Sequence, residues 1–167
     1  MARPMRSIFR QLASLILPIT ALILVPLWVE PHWHAAAAGQ LAGGLVLMLG
    51  GLVVMMLTIA SFIRIGKGTL APWSPTSRLV IVGMYAYVRN PMILAVLSVL
   101  LGEALAFGSW RILAWALAFF AINTLYFYFV EEPGLEKRFG EEYRRYKQHV
   151  PRWMPRFTAY KDPARAD

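Results

Sequence analysis

The sequence predicts an all-α integral membrane protein with four transmembrane helices and a cytoplasmic, amphipathic C-terminal helix. Apolar residues make up 58% of the 167 residues and charged residues only 16%, against roughly a quarter charged in soluble domains. Nearly all charged residues also lie outside four apolar stretches at about 11–29, 41–63, 91–107 and 110–130, which are long enough for spans. We therefore expect residues 1–167 to form one membrane domain.

Composition narrows the kinds of site and partner. The chain has no cysteine, which excludes disulfides, thiolate metal sites and a cysteine nucleophile. Lipid headgroups and orientation in the bilayer explain the net charge of +8, because the basic residues flank the apolar stretches. We expect a lipid bilayer as partner and no nucleic acid. We also expect no metal, because His32 and His34 lie in a short loop without further ligands nearby.

The first stretch, 11–29, follows three arginines, as a signal peptide would. Its apolar run is longer than the roughly 7 to 15 residues of a signal h-region, and no convincing cleavage site follows, so we predict a retained span. Pro18 and Pro26 are expected to bend or shorten this helix.

The second stretch, 41–63, is uncharged over residues 41–62. This is about 33 Å of helix at 1.5 Å per residue, enough to cross a bilayer. Small residues in and before it predict the close approach of another helix. They are Gly39 and Gly43, which form a G-x-x-x-G step, and Gly44, Gly50 and Gly51.

The third and fourth stretches, 91–107 and 110–130, are separated only by Gly108 and Ser109. So short a break predicts an antiparallel helical hairpin. Glu103 lies inside the third stretch, about one turn from the hairpin. It is either a functional intramembrane carboxylate or a residue with a structural or interfacial role.

The distribution of basic residues predicts the topology. Of 17 Lys and Arg, three precede the first span, four lie between the second and third, and nine follow the fourth. Under the positive-inside rule, both termini and the long loop at 64–90 are cytoplasmic. We expect a multi-pass protein of the inner or plasma membrane of a prokaryote. The run at 66–69 lacks the Walker spacing and is interpreted as a turn.

A helix is predicted over about 134–149 and is ended by Pro151. Its apolar residues recur at helical spacing and its charged residues cover the remaining surface, so it should lie on the membrane or cover a cytoplasmic cavity. The apolar face consists of Leu135, Phe139, Tyr143, Tyr146 and Val150.

Segment 83–92 is the first half of a candidate site. Pro91 favours the first turn of a helix, where the missing N–H costs nothing. Free N–H groups and a positive dipole end then lie beside Arg89, which suits an anionic or carboxylate-bearing ligand. The alternative is that Tyr85, Tyr87 and Arg89 only anchor the chain at the membrane surface.

The pair Glu131 and Glu132, at the end of the fourth stretch, is the second half. Like charges repel in a partly desolvated place, so a cation or several donors should lie beside them. Both halves emerge on the same side of the membrane, and the hairpin keeps their helices adjacent. We therefore expect Arg89 and Asn90 to approach the glutamates, and a pocket with opposite charges on its walls suits a zwitterion.

Two motifs follow one another in this part of the chain. The first reads Gly83-x-Tyr85-x-Tyr87-Val88-Arg89-Asn90-Pro91. After about 40 residues the second reads Glu131-Glu132-x-x-Leu135-x-x-x-Phe139-Gly140-x-x-Tyr143-x-x-Tyr146, followed by Val150-Pro151-Arg152-x-x-Pro155. In this order they resemble the isoprenylcysteine carboxyl methyltransferase and phospholipid methyltransferase superfamily of membrane enzymes. The resemblance covers about residues 62–156.

The resemblance implies a methyltransferase that binds S-adenosylmethionine at the cytoplasmic face and receives a lipophilic, isoprenylcysteine-carboxylate-like acceptor from the bilayer. Near the amino-acid part of the cofactor it implies Arg89, Asn90 and Pro91, with Glu131 or Glu132 taking the ammonium group. On the adenosine side it implies Gly83, Tyr85, Tyr87 and Val88, and at the closure of the pocket Tyr143, Tyr146 and Arg152. The implied catalytic residues are Arg89, Asn90, Glu131 and Arg152, with Arg152 facing an anionic group of the acceptor.

Departures from the family's pattern leave the acceptor open. A phospholipid amine or a small thiol is the alternative acceptor, and a non-enzymatic membrane scaffold is the alternative function. Adjacent carboxylates argue against a scaffold, because an anchor has no use for them. No catalytic base is assigned, and the oligomeric state stays open. The departures are Met84 for a usual Pro, Ala86 for a basic residue, Asn90 for His, Ile93 for Tyr and Ala95 for Gly.

Overall fold

The structure, a computed structural model, describes residues 16–61 and 79–163, and these form helices without any strand. Predictions for residues 1–15, 62–78 and 164–167, including the N-terminal arginines and the turn at 66–69, lie outside the described residues. The helices are α1 (Ile16–Val29), α2 (Ala38–Ser61), α3 (Pro91–Ala106), α4 (Trp110–Tyr126), α5 (Glu132–Phe139) and α6 (Glu141–His149).

Two helices are long and apolar enough to cross a membrane. They are α2, with 24 residues, and Trp110–Phe139, in which α4 and α5 continue as one helix of 30 residues. Only 22% and 17% of their most apolar stretches are buried, so their apolar surfaces face outward rather than into a protein core. Helices α1 and α3 are apolar but shorter. The all-α prediction is therefore confirmed for the described residues.

The C-terminal helical region differs from the single helix predicted over 134–149. Its first part, α5, continues the fourth apolar helix, and α6 begins after a break at Gly140. Gly140 has a φ of 53°, in the left-handed region that glycine adopts without steric cost. The break lets α6 fold back toward α5 instead of extending away from it.

Helix α1 and the α4–α5 helix each contain a π-helical segment just before a proline. Thr20–Leu24 precedes Pro26, and Phe127–Glu131 precedes Pro133. Inside a helix, proline lacks an N–H and its ring collides with the carbonyl four residues earlier, and a wider turn relieves that collision. Each helix therefore continues through its proline.

Pro26 leaves one carbonyl of α1 without its helical donor, and this carbonyl accepts a hydrogen bond from α4. In the wide turn, Val25 donates its N–H to the carbonyl of Thr20. The next carbonyl, that of Ala21, would pair with residue 26, which has no N–H. Nε1 of Trp115 donates to that carbonyl oxygen instead, at 2.9 Å.

Helices α2 and α3 pack through glycines with their backbones in contact. A Cβ added at Gly44 would lie 2.5 Å from the carbonyl oxygen of Gly102, and one added at Gly51 would lie 2.7 Å from that of Ala95. Between these two levels, Oγ of Ser98 donates to a carbonyl of α2 at 2.9 Å. The predicted close approach of a helix is confirmed at these positions.

Two of the other small residues of α2 do not take part in this contact. No described atom lies within 4 Å of a Cβ added at Gly39 or Gly50. A Cβ at Gly43 would only touch the side chain of Leu105 at 3.3 Å. The G-x-x-x-G step at 39 and 43 is thus not the centre of the packing, because the face of α2 that carries Gly44 and Gly51 is the one turned to α3.

The hairpin end of the bundle is closed by a buried carboxylate, Glu30. Oγ of Ser109 accepts from the N–H of Ile112 as the N-cap of α4 and donates to Oε2 of Glu30. Nη1 of Arg111 lies 3.3 Å from Oε1 of the same carboxylate. The hydrogen bond from Ser109 lowers the pKa of Glu30 below its ordinary value, so Glu30 is ionised at neutral pH and pairs with Arg111.

At the other end of the bundle, the C-terminal part of the chain covers segment 79–89. Its backbone pairs with residues 86–89 although neither partner forms a strand. An apolar core lies between the C-terminal part and segment 79–89, and it is made of Leu79, Ile81, Tyr143, Tyr146, Val150 and Tyr160. The three backbone bonds run from Arg89 N–H to Pro151 O at 3.0 Å, from Arg156 N–H to Tyr87 O at 3.0 Å and from Tyr160 N–H to Ala86 O at 2.9 Å.

Gly44→Ala and Gly50→Ala form a matched test of the α2–α3 contact. Both exchanges add the same methyl group to the same helix and gain the same helix propensity, so their difference reports packing. We expect Gly44→Ala to cost about 1–3 kcal/mol, because α3 must move away, and Gly50→Ala to cost nothing. Thermal unfolding in detergent measures both, and equal midpoints would contradict the backbone contact.

Candidate functional site

The two halves of the candidate site meet in an ion pair. Nη1 of Arg89 lies 2.8 Å from Oε1 of Glu132, across 43 residues of sequence. Both side chains are buried, with 11% and 7% of their surfaces exposed. The expectation that a cation lies beside the glutamate pair is confirmed.

Glu132 also gathers two further cations. Nε of Arg152 lies 2.7 Å from the same Oε1, and Nζ of Lys147 lies 3.6 Å from Oε2. Sharing by three cations offsets the desolvation of this buried carboxylate. Glu132 therefore holds the two arginines in place, and we refer to these four residues as the Glu132 cluster.

Lys147 was missing from the sequence prediction. It pairs with Glu136 at 2.8 Å as well as with Glu132. In one straight helix over 134–149, Glu136 and Lys147 would lie on one face but about 16 Å apart along the axis. Only the break at Gly140 brings them together, and that glycine was the one available signal.

Glu131 has a different environment from Glu132. It is half-buried, and its Oε2 accepts a hydrogen bond from the hydroxyl of Tyr126 at 3.4 Å. No cation within the described residues lies within 4.0 Å of its carboxylate. Neighbouring helical residues point about 100° apart, so only one of the pair faces Arg89. The resemblance had implied that either glutamate could take the ammonium group of the cofactor, and it had placed only Glu131 among the catalytic residues.

Two buried donors beside the Glu132 cluster have no acceptor within the described part of the chain. They are Nε of Arg89 and Nδ2 of Asn90. Asn90 is the N-cap residue of α3, but its side chain does not cap the helix, and Pro91 starts the first turn. A buried donor without a partner costs about 1–3 kcal/mol. Two such donors beside the free N–H groups of a helix start fit a carboxylate.

The two tyrosines predicted to close the pocket contact it in different ways. The hydroxyl of Tyr143 accepts from Nη1 of Arg89 at 3.5 Å. Burial raises the pKa of Tyr143 to about 12, and the charge of Glu132 acts in the same direction, so the phenol stays protonated. Tyr146 instead donates its hydroxyl to the carbonyl oxygen of Tyr85 at 2.7 Å, and this bond holds segment 83–89 against α6.

A cavity of about 460 Å³ adjoins the same segment on the side of α2. Gly83 and Tyr87, two of the predicted adenosine-side residues, line it together with Leu57 and Ser61 of α2. Gly83 has a φ of 61°, and a Cβ there would lie 2.6 Å from Oγ of Ser61. Glycine is thus required both by the backbone conformation and by the narrow contact.

The remaining predicted site residues lie elsewhere. Val88 is almost fully buried in the core, and Tyr85 contributes its carbonyl to Tyr146 rather than its ring to the cavity wall. Glu103 is buried near the hairpin end of α3, about 20 Å from Arg89 along the helix at 1.5 Å per residue. Burial is compatible with both interpretations of Glu103, and its role stays open.

His32 and His34 are exposed in the loop between α1 and α2. Within residues 16–61 and 79–163, no three His, Asp or Glu side chains are grouped so that they could hold a metal ion.

The match to a known protein family covers more of the chain than the two motifs do. The family described as phospholipid methyltransferase matches residues 39–142. This range begins in α2, earlier than residue 62, and contains Arg89 and Glu132, but it leaves Tyr143, Tyr146 and Arg152 outside. A protein of Haemophilus influenzae, named only as uncharacterised, is 42% identical over 65 residues, which are 38% of this chain and all of that protein. No solved structure matches the chain.

Glu132→Gln and Glu131→Gln test the unequal environments of the pair. Glu132→Gln leaves Arg89 and Arg152 buried without a counter-charge, and we expect a loss of roughly 3–5 kcal/mol of stability. Glu131→Gln removes one weak hydrogen bond of a half-buried group, and we expect a loss of no more than about 1 kcal/mol. Thermal unfolding of both variants in the same detergent measures these two losses. Similar losses would show that Glu132 is not the centre of the cluster.

Proposed function

This chain belongs to the phospholipid methyltransferase family, and on that premise we propose that it is an S-adenosylmethionine-dependent methyltransferase of the membrane that acts on a lipophilic acceptor. The observation that carries the proposal is the Glu132 cluster, which joins the segment before α3 to the start of α5, beside two buried donors without acceptors in the described chain. A scaffold would gain nothing from donors left unpaired at this cost.

The cofactor would supply a methyl group activated on a sulfonium, next to an amino-acid part that carries a carboxylate and an ammonium group. Its carboxylate fits Nε of Arg89, Nδ2 of Asn90 and the first N–H groups of the helix that Pro91 begins. We assign the ammonium group to Glu131, because Glu132 is already shared by three cations.

For the adenosine part, the cavity beside Gly83 and Tyr87 supports the predicted assignment. Tyr87 offers a ring for stacking there. Tyr85 and Val88 would act indirectly by keeping the segment in place. Tyr143 and Tyr146 would form the wall on the side of α6, with Tyr143 in contact with Arg89.

The acceptor would meet the site beside Arg152. Its guanidinium lies 5.6 Å from the ring centroid of Tyr128, an exposed residue of the α4–α5 helix. Arg152 thus lies between Glu132 and the outer surface of that helix, where it can pair with an anionic headgroup. Methyl transfer requires the acceptor atom to be held in line and away from water. An isoprenylcysteine-like carboxylate, already ionised at neutral pH, needs no base.

A phospholipid amine is the second candidate acceptor, because the family's description names phospholipids. Its phosphate would pair with the same cations. Its ammonium group must lose a proton before attack, and no base is assigned to this step, because Glu131 would already be paired with the ammonium group of the cofactor. Nothing in the described residues favours a small thiol over either lipid.

We also propose four spans, with both termini cytoplasmic and the site at the inner leaflet of a prokaryotic inner or plasma membrane. Helices α1 and α3 are apolar and pack against α4 and α2. The described basic residues other than Arg111 lie at the end of the bundle that holds the Glu132 cluster, as the positive-inside rule requires of a cytoplasmic end. They are Arg89, Lys137, Arg138, Arg144, Arg145, Lys147, Arg152, Arg156 and Lys161.

Asn90→Ala separates cofactor binding from stability. Nδ2 of Asn90 has no described partner in the protein, so its removal should leave the thermal midpoint unchanged or raise it. Binding of S-adenosylhomocysteine, measured by calorimetry on the purified protein, should weaken by on the order of 1 kcal/mol or more, about fivefold or greater. Glu131→Gln should weaken it similarly, and the exposed Glu141→Gln should not. Folded wild-type protein that gives no binding heat would defeat the cofactor assignment.

Lipid analysis identifies the acceptor. Membranes from cells with the chain, without it and with Arg152→Ala should differ in one methylated lipid, which mass spectrometry detects by an added mass of about 14 units per methyl group. A methyl ester on a prenylated peptide supports the carboxylate acceptor, and a methylated headgroup supports the phospholipid amine. An unchanged set of lipids and prenylated peptides would remove both.

A further inference from the structure

We propose that residues 152–157 form a membrane-docking loop whose apolar side chains enter the inner leaflet beside the Glu132 cluster. Trp153 fixes the position of this loop. Its ring lies 5.0 Å from that of Phe120 and 6.2 Å from that of Phe127, edge-on in both cases. Both phenylalanines belong to the Trp110–Phe139 helix, which is long and apolar enough to cross a membrane.

The depth of this contact places the loop at the boundary of the bilayer. Phe120 and Phe127 lie about 16 and 6 Å before Glu131 along the helix, at 1.5 Å per residue. With the polar end of the helix at Glu131, the Trp153 ring reaches from the headgroup level, where tryptophan collects in membrane proteins, toward the acyl chains. The irregular backbone of the loop stays at the headgroup level, where its polar groups can be satisfied.

Two apolar side chains of the loop are left uncovered by the described part of the chain. Met154 is 79% exposed and Phe157 is 102% exposed. They follow Arg152 and Trp153, which contact Tyr128 and Phe127 of the α4–α5 helix. Exposed apolar side chains on a loop held against a membrane-length helix form a surface for lipid.

The charges around the loop match an anionic leaflet. Arg156 lies between Met154 and Phe157 and is only partly exposed, and Lys161 is exposed a few residues later. Arg156 is held against the C-terminal end of α6, since its Nη1 donates to the carbonyl oxygen of His149 at 3.1 Å. Basic side chains beside inserted aromatic ones bind the phosphates of anionic lipids. Lipid is therefore the partner that fits this surface better than a second copy of this basic chain.

Labelling at single cysteines tests the loop, because the chain has no cysteine of its own. Met154→Cys and Phe157→Cys would carry a nitrobenzoxadiazole fluorophore in full-length protein, in nanodiscs of phosphatidylethanolamine and phosphatidylglycerol. Leu117→Cys, on the exposed apolar face of α4, is the lipid-facing control. Gln148→Cys, on the exposed side of α6, is the aqueous control.

We expect positions 154 and 157 to be quenched several-fold more strongly than position 148 by doxyl groups attached near the lipid headgroup, and to resist aqueous iodide as position 117 does. Iodide quenching equal to that at position 148 would overturn the proposal. Protection from both quenchers would overturn it in favour of a protein cover, such as a second copy. Binding of S-adenosylhomocysteine by the labelled proteins is measured in parallel, so loss of the loop and loss of the cofactor site are distinguished.

Discussion

A buried carboxylate that needs counter-charge is the constraint on which this structure depends. Glu132 lies where a membrane-length helix reaches its polar end, and leaving it buried and alone would cost several kcal/mol. Three separate parts of the chain each bring one cation to it. Arg89 comes from the segment before α3, Lys147 from α6 and Arg152 from the C-terminal segment. Neutralising this one charge thus brings three distant parts of the chain together.

The local features of that region are those that make the convergence possible. The wide turn before Pro133 lets the helix continue to Glu132 and beyond. The positive φ at Gly140 turns α6 back so that Lys147 reaches the glutamate. Backbone bonds between residues 86–89 and 151–160 hold the two arginine-bearing segments side by side without a sheet. The site is therefore built on loops that are fixed by bonds to one another, in a position that the paired helices α2 and α3 support.

The two ends of the bundle differ in how their buried polar groups are paired. At the hairpin end, Glu30 is satisfied by Ser109 and Arg111 and makes a closed structural cluster. At the other end, Arg89 Nε and Asn90 Nδ2 are left without acceptors in the described chain. Both ends contain buried carboxylates, and at the second end the carboxylate lies beside unpaired donors and a neighbouring cavity. That difference, rather than the presence of charge, distinguishes a site for a ligand from a structural ion pair.

The sequence by itself determined what depends on composition and on neighbours along the chain. Apolar stretches predicted the helices, Gly108 and Ser109 predicted the hairpin, and repulsion between adjacent glutamates predicted a cation beside them. Two motifs led to the family. These are local properties, because helical periodicity, turn preference and the cost of desolvation are all set by residues close together in sequence.

The tertiary structure alone decided which residues meet. It selected Glu132 over Glu131, because adjacent helical residues point in different directions and only one can face Arg89. It selected Gly44 and Gly51 over Gly39 and Gly50, because packing depends on which face of α2 turns to α3. It added Lys147, because a single positive φ at Gly140 changes the direction of everything after it. Each of these is a matter of orientation between distant parts of the chain, and side-chain spacing along a sequence carries no information about that orientation until the helices are packed.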